Sequence, residues 1–442
     1  MSDWKCYQLK NLGVIKTGKT PPSSCKDAFS NTGVPFVTPK DMNGVKTIFK
    51  TERYLSKIGL DLVRNYLVPK NSIAVSCIGS DMGKAYLLSE DSVTNQQINT
   101  LIVNKNHNFE FIYYKLSIMQ DYLKSIAGGS ATPILNKSHF SEIEIELPDL
   151  DTQNNFVEKL KYLDKKIQLN TQINQTLEQI AQALFKSWFV DFDPVRAKVQ
   201  ALSDGLNLEQ AELAAMQAIS GKTPEELTAL SQTQPNRYAE LAETAKAFPC
   251  EMVEVDGIEV PKGWECCTFG DVAECFDSKR IPLSKQQREK RKGNIPYYGA
   301  TSVMDYVNEA IFDDIYLLIG EDGSVLKEDG TPFTQYIWGK SWVNNHAHVI
   351  KGKNGVSTEH VMLFIQQTNI TAYITGAVQL KLNQKNMNSI PFIKASNKTN
   401  LIFAQYIAPL YAKIRKNFDE NKILETTRDL LLPRLLNGEI NV

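Results

Sequence analysis

The chain has 442 residues, a formal charge of −1, and a composition that is 42% hydrophobic and 22% charged. These values are ordinary for a globular protein of two to four domains. No apolar run approaches the roughly 18 residues of a membrane span, and the N-terminus lacks a signal-peptide profile. Seven cysteines without C-x-x-C spacing favour reduced thiols over a disulfide framework or a zinc site. We therefore expect a cytoplasmic protein that does not associate with a membrane.

Charge is distributed unevenly along the chain, so single regions are more informative than the total. Residues 1–141 contain 17 basic residues against 10 acidic ones, whereas residues 196–263 contain 6 against 11. The run from Lys279 to Lys292 holds seven basic residues and one acidic residue. Basic stretches of this kind suit contacts with phosphates.

The pattern predicts a first strand-rich domain over residues 1–149. Short apolar runs alternate there with Gly, Asn and Asp, as in strands joined by turns. Between Asn108 and Ala127 the apolar residues recur at helical spacing, which predicts one helix ending at Gly128-Gly129.

A long helix is predicted next, over residues 150–195, and its pattern recurs in a second helix over residues 396–442. Large apolar or special residues follow one another at alternating steps of four and three, which is a heptad seam. The two seams are offset by 247 residues, as are the landmarks Leu135 and Leu382 upstream, so we infer an internal duplication. The seams consist of Phe156, Leu160, Leu163, Ile167, Asn170, Asn174, Leu177, Ala181, Leu184 and Trp188, and of Phe403, Ile407, Leu410, Ile414, Asn417, Asn421, Leu424, Arg428, Leu431 and Leu435.

The end of the first long helix is crowded with large apolar side chains. A helix surface cannot hide so many of them, so we predict a partner-facing patch, with burial under residues 1–149 as the alternative. The predicted patch comprises Leu184, Phe185, Trp188, Phe189 and Phe192.

An acidic helical insert and linker are predicted over residues 196–263, followed by a second strand-rich domain over residues 264–395. Ala, Gln and Glu dominate the insert, where aromatic residues nearly vanish. Trp264 lies at the start of the second domain, as Trp4 lies at the start of the first. The triplet Asn344-Asn345-His346 likewise corresponds to Asn95-Gln96-Gln97.

We therefore predict an α+β fold in which two long antiparallel coiled-coil helices separate two similar strand-rich domains. A pseudo-twofold axis relates the two halves, and such an axis makes the helices antiparallel. Four asparagines would lie in the shared seam, where buried amides fix the register at a cost in stability. These residues are Asn170, Asn174, Asn417 and Asn421.

Three motifs imitate catalytic or metal sites, and none of them is convincing. Gly13–Thr20 matches a phosphate loop, but Pro21-Pro22 argue against the helix that such a loop requires. Pro148-Asp149 followed by Asp164-Lys165-Lys166 imitates a nuclease pattern, but its carboxylates would lie more than about 20 Å apart on one helix. His346 and His348 would share a strand face without a Cys or carboxylate at ligand spacing. We predict no catalytic and no metal-binding residue.

DNA binding remains, because Lys and Arg neutralise phosphates while Asn, Gln and Arg pair with base edges. A duplicated domain also suits a two-part site on a duplex. The candidate DNA contacts are Lys19, Thr20, Lys40, Ser80, Lys84, Gln96, Gln97, Lys279, Arg280, Arg288, Arg291, Lys292, Asn345, His346 and His348.

The chain resembles the DNA specificity subunit of type I restriction-modification systems. The similar stretches are Thr17–Pro21, Pro35–Met42, Leu184–Pro194, Gly320–Gly323, Trp342–His348 and Leu432–Gly438. The resemblance implies two target recognition domains that read the halves of a bipartite, asymmetric DNA target, with the paired helices setting the unread spacer. It implies two modification subunits that methylate adenine with S-adenosylmethionine, and restriction subunits that use ATP and Mg²⁺. This chain itself would bind no cofactor. The apolar patch, with Leu431, Leu432 and Leu435 as its counterpart, would help to dock the modification subunits.

Two other functions stay open. A coiled-coil adaptor that binds proteins would have no DNA affinity, whereas phosphate contacts predict an affinity that falls steeply with salt. A nucleotide hydrolase that uses Lys19 would bind ATP.

Overall fold

A computed structural model of the protein describes residues 4–42, 46–79, 81–127, 134–376 and 379–436. The chain divides into two compact units, Met1–Asn170 with Asp419–Val442 and Thr171–Phe418. We name these the first unit and the second unit. No helix in the described part of the chain is both long and apolar enough to cross a membrane.

The described residues of the first unit form twelve short strands and the helices that connect them. One sheet has the strand order β3-β6-β4-β10-β7, a second has the order β2-β11-β8-β9-β5, and β1 pairs with β12. The strands are β1 (Lys5–Gln8), β2 (Gly13–Thr17), β3 (Phe29–Ser30), β4 (Val34–Val37), β5 (Thr47–Ile48), β6 (Arg53–Leu55), β7 (Leu67–Val68), β8 (Ile73–Ser76), β9 (Ala85–Leu88), β10 (Ser92–Thr94), β11 (Ile98–Val103) and β12 (Glu144–Leu147). The helices are α1 (Leu9–Leu12), α2 (Lys57–Val63), α3 (Phe109–Ser117), α4 (Gln120–Ser125), α5 (Lys137–Glu142) and the long α6 (Leu150–Phe189), of which residues 150–170 belong to this unit.

The second unit contains the insert and the second strand-rich domain. The insert consists of α7 (Asp193–Ser203), α8 (Leu208–Ser220), α9 (Pro224–Thr233) and α10 (Pro235–Lys246), followed by the hairpin β13 (Met252–Val255) and β14 (Ile258–Pro261). The domain consists of β15 (Glu265–Thr268), α11 (Phe269–Val272), β16 (Ala273–Cys275), α12 (Lys285–Glu289), β17 (Lys292–Tyr298), β18 (Val303–Val307), β19 (Phe312–Asp313), β20 (Tyr316–Gly320), β21 (Thr334–Ile337), β22 (Lys340–Val343), β23 (Ala347–Gly352), α13 (Thr358–Gln367), α14 (Gln384–Asn388) and β24 (Pro391–Lys394). The long α15 (Asn397–Leu436) follows.

The sheets of the two domains have the same strand order, which confirms that the domains are similar. The order β6-β4-β10-β7 in the first domain matches β18-β17-β22-β19 in the second, and β2-β11-β8-β9 matches β16-β23-β20-β21. Each first sheet contains one parallel pair, β4 with β10 and β17 with β22, among antiparallel neighbours. The first domain adds β3 and β5 at its sheet edges. One folding pattern therefore occurs twice, as the duplication predicts.

Within the first unit, α6 and α15 pack antiparallel. Phe156 and Leu160 share a buried cluster with Leu432 and Leu435, near the start of one helix and the end of the other. Farther along, Asn170 Nδ2 donates to Asn421 Oδ1 at 2.9 Å, and both side chains are buried.

The second unit repeats this arrangement with the other asparagine pair. Asn417 Nδ2 donates to Asn174 Oδ1 at 2.8 Å, and Asn174 Nδ2 donates to the Ile414 carbonyl at 3.3 Å. Phe185 and Phe403 meet beyond them in the same cluster. The antiparallel pairing and the four seam asparagines are therefore confirmed within each unit.

The single helix predicted between Asn108 and Ala127 is wrong in one respect. Asn108 caps α3 by accepting from the N–H groups of Glu110 and Phe111, but the helix ends at Ser117 and α4 begins at Gln120. The N–H of Met119 bonds the Leu116 carbonyl, which is a tighter turn than an α-helix allows. The predicted stop at Gly128-Gly129 lies outside the described residues.

Candidate nucleic-acid interface

Two equivalent turns present polar side chains at the same place in each domain. In the first domain the turn joins β10 to β11, and Asn95 Oδ1 accepts the N–H of Gln97 at 3.0 Å. In the second domain the turn joins β22 to β23, and Asn344 Oδ1 accepts the N–H of His346 at 2.8 Å. The asparagine of each turn also donates its own N–H to the neighbouring parallel strand, at Val37 and at Tyr298. A short side chain that accepts from the backbone two residues later fixes this geometry.

Most of the residues at the tips of both turns are exposed, although several of their side chains form hydrogen bonds within the protein. Gln96 and Gln97 are exposed, as is Asn345, and 45% of the His346 side chain is accessible. Thr20 Oγ1 donates to Gln96 Oε1 at 2.7 Å, and Asn95 Nδ2 donates to Gln97 Oε1 at 3.1 Å. The tip of the first turn therefore offers hydrogen-bonding groups to a ligand in a fixed orientation.

Behind the first turn lies a short neutral chain of hydrogen bonds. Thr17 Oγ1 donates to Asn99 Oδ1 at 2.6 Å, and Asn99 Nδ2 donates to the Leu135 carbonyl at 3.2 Å. The adjacent thiol of Cys77 is buried, which raises its pKa to about 11. This support carries no charge.

Behind the second turn the equivalent positions are charged. His348 is buried between Asp277, at 2.5 Å from Nδ1, and the Leu382 carbonyl, at 2.7 Å from Nε2. Burial alone would raise the pKa of Asp277, but its contacts with His348, the Val349 N–H and the Arg280 guanidinium together hold the pKa below its ordinary value. Arg280 contacts Asp277 at 3.2 Å and Glu321 at 2.7 Å, which completes a buried ionic network.

Cys275, Asp277 and His348 bring three potential metal ligands within 4.8 Å of one another. Sequence spacing did not reveal this cluster, because Cys275 and Asp277 come from the strand β16 and the turn after it. Both ring nitrogens of His348 are already engaged, and the Arg280 guanidinium supplies a positive charge beside Asp277. The cluster fits a hydrogen-bonded support of the sheet better than a cation site.

Two predicted DNA contacts, Arg280 and His348, are largely enclosed by the protein and bind partners within it. The Arg280 side chain is only 11% exposed and also donates to the Ala347 carbonyl at 2.6 Å, while His348 is fully enclosed. Nothing in the sequence indicated that Arg280 contacts Glu321, 41 residues away, or that His348 contacts Asp277, 71 residues away.

Three other predicted contacts keep solvent access but hold acidic partners within the protein. Arg288 contacts Asp305 at 2.9 Å, Arg291 contacts Glu309 at 3.0 Å, and Lys84 contacts Asp81 at 2.8 Å. A phosphate would compete with these carboxylates.

The remaining basic candidates lie at the surface. Lys19 lies 5.5 Å from the centre of the Tyr66 ring, and Lys279, at the equivalent position after β16, lies 4.9 Å from the Phe276 ring. Lys40 and Lys292 are exposed. Thr20 is the partner of Gln96, and Ser80 lies outside the described residues.

The predicted apolar docking patch is wrong, because its aromatic members lie in the interior of the second unit. Trp188 is 0% and Phe189 7% exposed, and Phe185 and Phe192 fall between these values, while Leu184 is half-buried. They pack on Phe403, Trp264 and the insert, whose Phe248 meets Trp188 edge to face at 4.9 Å. The alternative, burial under residues 1–149, is also wrong.

The insert is what covers this aromatic cluster. Lys198, itself buried, donates to the Phe248 carbonyl at 2.7 Å, and Thr399 Oγ1 donates to the Ala247 carbonyl at 3.0 Å. The counterpart residues Leu432 and Leu435 are buried in the first unit, with Leu431 packed beside them. Sequence periodicity detected both clusters, but it could not tell that the same chain covers them.

The two catalytic imitations have structural explanations. Gly13–Thr17 forms β2, paired residue by residue with β11, so it cannot curl around a phosphate. Asp149 caps α6 by accepting the N–H of Thr152 at 2.8 Å, while Asp164 contacts Lys46 at 2.9 Å and Arg428 at 3.5 Å. These two carboxylates serve different contacts and converge on no common ion.

Comparison with known proteins also finds two matching segments in this chain. A family model described as "Type I restriction modification DNA specificity domain" matches residues 1–179 and 261–424. The chain is 42% identical to the "Type I restriction enzyme HindI specificity subunit" of Haemophilus influenzae, over all of both chains. It is 24% identical to the MjaIX specificity subunit of Methanocaldococcus jannaschii, over all of this chain and 94% of the relative. Among solved structures, the type I restriction-modification S subunit of M. genitalium matches with a TM-score of 0.50 at 17% identity, covering 98% of this chain and 96% of that one.

Proposed function

The chain belongs to the type I restriction-modification DNA specificity family, whose members are specificity subunits rather than enzymes, and we propose that it reads a bipartite, asymmetric target on double-stranded DNA. In this proposal each strand-rich domain is a target recognition domain for one half of the target. The observation that carries the proposal is the duplicated turn: one backbone scaffold presents Gln96 and Gln97 in the first domain, and Asn345 and His346 in the second. Different side chains on one scaffold suit two different half-sites.

Contacts with DNA would divide into two kinds. Lys19 and Lys279 lie at equivalent surface positions and would neutralise phosphates, together with Lys40 and Lys292. The turn residues would contact base edges. Phosphate contacts predict that binding weakens steeply as salt rises, while base contacts predict a preference for one sequence over others.

The catalytic steps would belong to partner subunits. Two modification subunits would methylate adenine with S-adenosylmethionine, and restriction subunits would use ATP and Mg²⁺ to translocate and cleave DNA. This chain would bind none of these cofactors. The buried aromatic cluster cannot supply the docking surface for those subunits, so docking would use other faces of the chain.

The long helices would set the number of unread base pairs between the half-sites. Each runs for 40 residues without interruption, about 60 Å at 1.5 Å per residue. Inserting one heptad into α6 near Asn170, with a matching heptad in α15 near Asn421, should lengthen the spacer and leave both half-sites intact.

Exchange of one domain is the direct test of the bipartite reading. The full chain is assembled with its modification subunits, and methylated adenines are mapped by single-molecule sequencing. Residues 1–149 are then replaced by those of another family member. We expect one half of the target to change. A target that changes in both halves, or in neither, would contradict the proposal, as would a chain whose binding to DNA is insensitive to salt.

A further inference from the structure

The third residue of each turn offers a hydrogen-bonding group to a ligand. The neighbours of that residue determine whether the group is a donor or an acceptor. Gln97 and His346 occupy the same backbone position, since each donates its N–H to the asparagine two residues before it. Both side chains reach the surface. Their internal partners differ, and the partner of each determines what the free atoms of the side chain can do.

Gln97 is held as a donor. Asn95 Oδ1 is occupied by the N–H of Gln97, so Asn95 Nδ2 is the atom that faces the Gln97 side chain, at 3.1 Å from Oε1. An amide nitrogen donates and does not accept. Gln97 Oε1 is therefore engaged within the protein, and its NH₂ group is the part that remains to meet a ligand.

His346 is instead held as a hydrogen-bond acceptor. Its Nδ1 lies 2.5 Å from Asp322 Oδ1, and the Asp322 side chain is only 19% exposed. An ionised carboxylate only accepts, so when the imidazole is neutral its proton resides on Nδ1 and its lone pair resides on Nε2. In that form the ring presents an acceptor.

Resting on the function proposed above, we infer that His346 reads one base of the second half-site by accepting a hydrogen bond at Nε2 from an exocyclic amino group. In the major groove that group is N6 of adenine or N4 of cytosine. Asp322 is the positioning residue, because it holds the ring and selects the tautomer. Gln97 reads the first half-site in the opposite sense, donating to a base acceptor such as guanine O6 or thymine O4. The two halves of the target then differ in hydrogen-bond polarity at one equivalent position.

Removal of single amino groups from the DNA tests this inference. The probe is the mapped target duplex, in which each adenine of the second half-site other than the methylated one is replaced by purine nucleoside, which lacks N6. Each cytosine is replaced in turn by its analogue without N4. The assembly that contains the wild-type chain should lose about tenfold in affinity at one position, on the scale of a single base-edge contact. Whether that position holds adenine or cytosine identifies the base.

His346→Ala should bind the unmodified duplex about tenfold more weakly than the wild-type chain does. Its affinity should not fall further when the base at the sensitive position is replaced by the analogue without an amino group. Asp322→Asn should lose most of the same discrimination, while Asp322→Glu, which keeps an accepting carboxylate, should restore part of it. Affinity for a random duplex should change in none of these variants, which separates positioning from a general loss of structure. Gln97→Ala is the matched control, and it should leave the second half-site unaffected.

Two results would overturn the inference while the proposed function stands. One is that His346→Ala retains the penalty at every substituted position. The other is that it weakens target and random duplex equally, which would indicate a phosphate contact. An assembly that prefers no sequence at all would overturn the proposed function together with this inference.

Discussion

Where the first domain links Thr17 to Asn99 and then to the Leu135 carbonyl, the second domain links Asp277 to His348 and then to the Leu382 carbonyl. The backbone around these chains is the same, because Leu135 donates its N–H to Cys77 and Leu382 donates its N–H to Glu321 at the equivalent strand ends. One copy thus uses neutral groups, and the other uses an ionic network that includes Arg280. The geometry of the turn depends on the backbone, so the chemistry beneath it is free to diverge.

A second contrast lies where each domain meets its long helix. In the first unit Phe111 packs on Trp4 and Phe156, whereas the second unit places His360 at the matching helix position, against Phe403 and three further phenylalanines. Neither nitrogen of His360 has a hydrogen-bond partner among the described residues. The second copy therefore accepts a buried polar ring where the first has a hydrocarbon one.

The largest expected effect is the loss of an aromatic anchor. Trp188→Ala removes a fully buried ring that contacts Phe248 and Phe403, and should lower the free energy of unfolding by about 3–5 kcal/mol. Leu435, one repeat later, is the matched position, and Leu435→Ala should cost about 2–5 kcal/mol. Hydrogen exchange should show the loss chiefly in the second unit for Trp188 and in the first for Leu435. A reversed assignment would contradict the packing.

The charged support should be more sensitive to mutation than the neutral one. Asp277→Asn leaves Arg280 and His348 with a weakened partner and should cost up to about 3–5 kcal/mol, the range for breaking a buried ion pair. The matched change Thr17→Val removes one neutral hydrogen bond and should cost about 1 kcal/mol. Denaturant unfolding monitored by hydrogen exchange in each domain measures both. Equal costs would mean that the ionic network adds nothing beyond hydrogen bonding.

The sequence predicted the duplicated parts of this molecule better than the unique ones. A fixed offset and a heptad period are local signals, so the seam asparagines and both long helices followed from them. The burial of Trp188 could not be predicted, because Phe248, which packs on it, lies 60 residues later in an insert for which the described residues of the first unit contain no counterpart. The internal contacts of Arg280 with Glu321 and of His348 with Asp277 could not be predicted for the same reason. In the sequence, a basic residue in a loop looks the same whether it contacts a DNA phosphate or a glutamate on another strand.

Removing the buried imidazole should stabilise the second unit. His360→Phe restores the residue type of the first copy and relieves an unpartnered polar group, a gain of about 1–3 kcal/mol. The reciprocal change, Phe111→His, should destabilise the first unit by a similar amount. Thermal unfolding and hydrogen exchange at neutral pH would measure both. If His360→Phe were destabilising, the imidazole would have a role in packing that phenylalanine cannot fill.

The last effect concerns the pH dependence of stability. Burial lowers the pKa of His360 to about 3, well below the value of about 6.5 in an unfolded chain. Between these pH values the unfolded state binds one more proton at this residue than the folded state. The contribution of His360 to the free energy of unfolding is therefore fully present above about pH 6.5, and it falls by up to about 1.4 kcal/mol per pH unit as the pH drops. His360→Phe should flatten this part of the pH profile of the second unit, and Phe111→His should introduce it into the first. The comparison is between wild type and variant at each pH, because carboxylates elsewhere titrate equally in both. Parallel profiles between pH 6.5 and 5 would show that His360 does not remain neutral in the folded protein.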